Sequence, residues 1–157
     1  RLARGYKLSR LSSVERTAFG GSNARRRVRF DGSVTAEDVG SYKPSPRNFE
    51  ALLGAARELG VGGGRLLHVA QSLFHDHVPA KSMGLPTAWI DRRGARHGWG
   101  ATPPPRFDVH PDWTFGSMAE LAAAAGVADN SGYNMRREEC LEPTGWFMPG
   151  AGAADRW

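Results

Sequence analysis

Three short stretches of this chain carry side chains with chemistry to offer, each just past a run that reads as a strand. "YKLSRLSS" ends in Ser12 and Ser13. "SYKPSPRNFE" holds Lys43 between an aromatic residue and a proline. "LLHVAQSLFHD" leads from an apolar run to Gln71, Ser72 and Asp76. A hydroxyl, an ammonium and a carboxylate at successive strand ends could bind an anion and keep a carboxylate ionised. A cation close to an aspartate lowers its pKa by ~1–3 units, which keeps it competent as a nucleophile or base. Each residue also has a plainer use. Ser12, Ser13 and Asp76 could cap helices, and Lys43 could be a surface lysine. All of them on one edge of one sheet is harder to explain that way.

The elements that would position them alternate along the chain. Tyr6–Ser12 reads as a short strand, and a helix weakened by Gly20 and Gly21 follows over Val14–Arg27. Gly32–Ala36 is a second short strand. Pro46–Leu59 predicts a helix, with Ser45 as N-cap, Pro46 at the first helical position and Gly60 as stop. Phe49, Leu52, Leu53, Ala56 and Leu59 recur at helical spacing and form its apolar face. Leu66–Gln71 is nearly continuously apolar, as a buried parallel strand is. A helix over Asp76–Met83, a strand over Pro86–Asp91, a polar loop over Arg92–Asp112 and a helix opening with a capping box at Ser117–Glu120 complete the pattern. Such alternation predicts an α/β fold, a Rossmann-like parallel sheet with flanking helices. Ligands in such folds sit at the carboxyl ends of the strands. The segment 127–157 is rich in Gly, Pro and Arg and has no period, so it reads as an irregular or disordered tail after a core of residues 1–126.

Bulk properties narrow the function. The 157 residues suffice for one domain, and no apolar run nears the ~18–20 residues a bilayer requires. Cys140 is the sole cysteine, which fits a reducing compartment and a cytoplasmic location. The net charge of +5 favours anionic partners. Arg25, Arg26, Arg27 and Arg29 read as a solvated helix end rather than a nucleic-acid patch, since no aromatic residues interleave them. Neither nucleic acid nor membrane is an expected partner. "HDH" at His75–His77 suggests a metal, but neighbours on a helix diverge and no third ligand is spaced to join them. Trp89, Trp99 and Trp113 read as packing, and "VGGGR" as a turn lacking the Lys-Ser/Thr of a phosphate loop.

"LSSVERTAF", "VTAEDVGSYKPSPRNFEALL" and "LLHVAQSLFHDHVPAKSMGLPTAWIDRR" together resemble the haloacid dehalogenase superfamily, in particular the C-terminal part of type II 2-haloacid dehalogenases. The likeness spans about Leu2 to Leu121. It implies that Ser12 holds the substrate carboxylate or a phosphoryl oxygen, with Ser13 beside it where many relatives carry asparagine. It implies that Lys43 pairs with a nucleophilic aspartate and that Asp76 orients that lysine or the hydrolytic water. In metal-dependent relatives the acidic position helps bind magnesium. Gln71 stands where phosphatases of the superfamily carry an acid, which favours the branch that needs no cofactor over a magnesium phosphatase.

The same resemblance implies a nucleophile motif of the form Asp-x-Asp-Gly-Thr on a first, central strand. The near match, Asp31-Gly32-Ser33, follows Ser12 instead of preceding it and lacks an apolar strand before it. The nucleophile strand and the cap domain are therefore expected upstream of Arg1, and the two strands that would flank the first one should lose their shared partner. The expected activity is hydrolysis of a small anionic substrate such as a 2-haloacid. The chain alone is expected to be inactive, and a homodimer is left open. A phosphatase or an inactive fragment are the alternatives.

Overall fold

Residues 2–13, 29–94 and 102–126 are described by the computed structural model. Strand β1 (Ser9–Ser12) pairs in parallel with β2 (Gly32–Thr35), with Ser9 opposite Gly32 and Ser12 opposite Thr35. The glycine is required there, because a Cβ on Gly32 would lie 2.9 Å from Ser9 Oγ and 3.2 Å from Leu59 Cδ1. Thr35 then caps the short helix α1 (Ala36–Val39). Its hydroxyl accepts from the Asp38 backbone N–H, and the Asp38 carboxylate accepts from the Thr35 backbone N–H in return. Gly40, with φ of 66°, takes the left-handed turn that ends it.

Helix α2 (Pro46–Glu58) begins at proline, whose missing N–H costs nothing in a first turn, and stops where Gly60 adopts φ of 74°. Strands β3 (His68–Ala70), β4 (Thr87–Ile90) and β5 (Trp113–Phe115) form a second parallel sheet in that order. Between β3 and β4 run a π-helical turn (Leu73–His77) and helix α3 (Val78–Ser82); helix α4 (Met118–Ala124) follows β5.

Side chains alternate across a strand, and the two faces of the second sheet are covered differently. Leu67, Val69, Ala88 and Ile90 pack with Leu121 of α4. The other face, bearing His68, meets α2. There Phe49 and Leu52 form a buried cluster with Ala80 and Leu85, against which Leu11 of β1 and Leu66 also pack. One helix thus shares its apolar stripe between both sheets. This is an α/β arrangement of parallel sheets with flanking helices. Among the described residues β1 bonds only to β2 and β3 only to β4, so each presents an edge without a strand partner at the place where the resemblance implies a further strand. No helix among them is long and apolar enough to cross a membrane.

The sequence reading departs from the structure at several points. It assigns no element to Trp113–Phe115, the strand β5, because three residues are too few to display an alternation. It misses α1, a single turn defined by capping rather than by periodicity. The helix expected over Asp76–Met83 is instead a π-turn followed by α3, and its cap is Ser72, whose hydroxyl accepts from the His75 N–H. Ser45 occupies the N-cap of α2 without a side-chain capping bond. The expected helix over 14–27 and the expected tail over 127–157 lie outside the described residues.

Phe49 is fully buried and joins α2 to β3. Phe49→Ala is expected to cost about 3–5 kcal/mol, read as a fall in the urea midpoint of unfolding. A loss below about 1 kcal/mol would mean that the shared cluster is not what fastens the two sheets to α2.

Candidate active site

Lys43 is fixed by what flanks it. Gly40 turns the chain out of α1, the Ser45 N–H closes a tight turn onto the Tyr42 carbonyl, and α2 starts at Pro46. The Lys43–Pro44 peptide bond is cis. Asp76 arrives from the other sheet. After β3 the chain caps at Ser72 and winds one wide turn in which both the Asp76 and His77 N–H groups donate to the Ser72 carbonyl, at 3.2 and 3.3 Å. A π-turn holds one residue more than an α-turn, so it rotates the residues it contains relative to the helix that follows. Here it directs Asp76 and His77 into the interior, where both are buried.

The two arms meet. Lys43 Nζ lies 2.6 Å from Asp76 Oδ1, with the side chains only 14% and 9% exposed. His68 Nε2 lies 3.2 Å from the same oxygen. The His68 ring stands edge-on to Phe49, centroids 5.2 Å apart. Burial pushes the Asp76 carboxyl up, but the His68 hydrogen bond and the Lys43 charge and hydrogen bond outweigh it, and its pKa falls below the ordinary carboxylate value. Asp76 is therefore an anion at neutral pH. A carboxylate only accepts, so the proton of this contact belongs to His68 Nε2. His77, fully buried, donates through Nε2 to the Ala70 carbonyl at 3.1 Å; burial chiefly holds its pKa below the ordinary histidine value, so it is neutral.

The remaining candidates distribute as follows. Ser12 ends β1, half-buried and in register with Thr35, and Ser13 follows it, exposed. Both stand at the carboxyl ends of the strands, the side from which the chain proceeds to Lys43 and Asp76. Gln71 lies at the end of β3, and its backbone carbonyl accepts from Trp89 Nε1 at 2.9 Å. Asp31 is exposed and accepts from the Leu8 N–H at 2.7 Å, a contact that ties the entry of β2 to that of β1. His75 and His77 have different partners, Ser72 and Ala70, and among the described residues no three metal-ligating side chains gather. A cavity of about 420 Å³ beside β1 and β2 is lined by Arg10, Ser33, Thr35 and Asp38 and touches neither Lys43 nor Asp76. The sequence reading overlooks His68. The available signal is a lone imidazole inside "LLHVA", an apolar run that needs no polar residue for its packing.

No protein-family model matches this chain, and no curated protein does. Solved structures do. A HAD phosphatase from Thermococcus onnurineus is 29% identical, covering 80% of this chain and 53% of its own, with a TM-score of 0.62. An L-2-haloacid dehalogenase is 25% identical over 74% of this chain and 48% of its own, TM-score 0.59. The L-2-haloacid dehalogenase from Xanthobacter autotrophicus, solved with chloropropionic acid covalently bound, shares the fold at 20% identity, 81% and 58% coverage and a TM-score of 0.64. The chain spans about half the length of these proteins.

The depressed pKa values of His77 and Asp76 each make stability depend on pH, in separate windows. The unfolded chain protonates His77 near 6.5 while the folded chain resists, so stability declines as pH falls below that value. Asp76 stabilises the folded chain wherever it is ionised, and that contribution fades as pH drops through the carboxylate range toward its lower folded value. Each proton contributes at most ~1.4 kcal/mol per pH unit. Urea midpoints measured from about pH 7 to about pH 3 should flatten in the upper window for His77→Gln and in the lower one for Asp76→Asn. Slopes identical to the parent in both variants would remove the assignment.

Proposed function

We propose that this chain, whose described residues have the fold of the haloacid dehalogenase superfamily, supplies the lysine and acid arm of a hydrolase site, and that the reaction is hydrolysis of the carbon–halogen bond of a small 2-haloacid by an aspartate nucleophile. The observation that carries the reading is the 2.6 Å contact between Lys43 and Asp76, reached from two separate sheets at the carboxyl ends of their strands. A buried ammonium held by one carboxylate is poised to hold a second, and the likeness to an L-2-haloacid dehalogenase is in keeping with this reading.

In this reading an aspartate carboxylate attacks the halogen-bearing carbon. The new C–O bond forms as the carbon–halogen bond breaks, and halide leaves with the electron pair. Water then adds to the carbonyl carbon of the resulting ester, and its cleavage releases the 2-hydroxy acid and restores the carboxylate. Lys43 keeps the nucleophile ionised and aimed. Asp76 fixes Lys43 and accepts from the hydrolytic water. Ser12, with Ser13 beside it, binds the substrate's own carboxylate. Asp31 is engaged with the Leu8 N–H and is not assigned as the nucleophile, and the chain alone is expected to be inactive.

A magnesium-dependent phosphatase is the second reading, favoured by the likeness to the HAD phosphatase. Magnesium takes oxygen ligands, carboxylates foremost. The residues here fit it poorly: Asp76 Oδ1 is shared by Lys43 and His68, and Gln71 brings no charge.

The enzyme containing this chain is expected to release halide from 2-chloropropionate without added magnesium, and Lys43→Ala to lower that rate by about 10²–10³-fold, as loss of a preorganised charge does. Turnover of p-nitrophenyl phosphate that rises with magnesium, with no halide release, would replace this reading by the phosphatase. Undiminished halide release by the Lys43 variant would remove the lysine's role.

A further inference from the structure

We propose that His68 is a positioning residue of this site: its Nε2–H holds the Asp76 carboxylate in the orientation that receives Lys43. Its relevance to catalysis rests on the functional reading above; the contact itself does not.

The argument begins with an anomaly of composition. A parallel strand covered on both faces is ordinarily apolar throughout, and His68 stands among Leu66, Leu67 and Val69 in sequence. His68 is nevertheless buried in β3, 8% exposed. A buried imidazole without a hydrogen-bond partner is costly, so its position requires a reason. The ring is set by three contacts. Phe49 packs edge-on against it from α2, His77 lies 6.4 Å away from the π-turn, and Asp76 Oδ1 receives Nε2 at 3.2 Å. Lys43, from the segment ahead of α2, binds that same oxygen. These are the charged and titratable groups that the surrounding elements bring to His68.

The geometry gives the histidine a task that Lys43 cannot perform. Lys43 ends a flexible four-carbon stem and hangs from a turn, so it can follow Asp76 but not fix it. His68 has a short side chain, stands on the backbone of a sheet and is wedged by Phe49. The rigid donor anchors the acid, and the acid anchors the flexible cation. The order of dependence runs from β3 to Asp76 to Lys43. It also joins the sheets, because Lys43 belongs to the chain that leaves β2.

The test separates anchoring from simple filling of space. Nitrogen-15 NMR of the imidazole is expected to find His68 as the Nε2–H tautomer, and Asp76→Asn to change that signature; an Nδ1–H tautomer in the parent chain overturns the inference with no variant required. His68→Phe fills the volume but cannot donate, whereas His68→Gln keeps a donor. The Lys43 ammonium protons are expected to exchange with water about tenfold faster in His68→Phe, as loss of one charge-assisted hydrogen bond allows, and at close to the parent rate in His68→Gln. Equal exchange in all three folded proteins overturns the role. In the intact enzyme, His68→Phe should lower kcat with KM little changed, and His68→Gln should restore most of it. If the enzyme proves to lack hydrolase activity while the exchange result holds, the functional reading fails and the anchoring stands.

Discussion

The contact between Lys43 and Asp76 is the constraint around which the rest of this structure is arranged. Removing an ammonium and a carboxylate from water costs several kcal/mol per ion even after relaxation, and attraction returns it only when the geometry is good. Here the geometry is good: 2.6 Å, with His68 supplying a second donor to the same oxygen. Satisfying one anion with two donors makes the burial tolerable. It also means that neither charge can be deleted cheaply, since each would leave the other stranded in a low dielectric. Such a pair is weak as a source of stability and strong as a means of fixing orientation, which is what a site requires.

That orientation depends on elements far apart in sequence. Thirty-three positions separate Lys43 from Asp76, and they descend from different sheets. No backbone ladder among the described residues joins β1 to β3. What holds the two sheets in register is side-chain packing on α2, through Phe49, Leu52 and Leu11, together with the ion pair itself. Packing of this kind is less directional than a hydrogen-bonded ladder. The free edges of β1 and β3 are also surfaces on which another strand could pair.

How much of this was legible in the sequence follows from the physics of each element. Helix α2 was legible because its apolar spacing, its proline at the start and its glycine at the end are all local signals that agree. Strands β3 and β4 were legible as apolar runs bounded by turns. Lys43 and Asp76 stand out in the sequence because strand ends in α/β folds are where side chains converge. The π-turn was not legible, since inserting one residue changes a hydrogen-bonding pattern and leaves composition untouched. The role of His68 was hidden for a related reason. An imidazole eight residues before its partner shows no period, and only the wide turn brings Asp76 back over β3. Strand β5 was too short to show an alternation, and its place at the edge of the sheet is fixed by pairing with β4 rather than by its own sequence.

The electrostatics of the cluster also bear on the choice between the two chemistries. A divalent cation in this cluster would be repelled by the Lys43 ammonium and attracted by Asp76, so further carboxylates would be needed to hold it. Asp76 is already shared between two donors, and at the end of β3 the chain offers the neutral Gln71. A substrate anion likewise finds Lys43 already matched by Asp76, so its binding depends on further donors. Lys43 and Asp76 therefore fix orientation rather than supply net charge, and the groups brought beside them decide which chemistry follows.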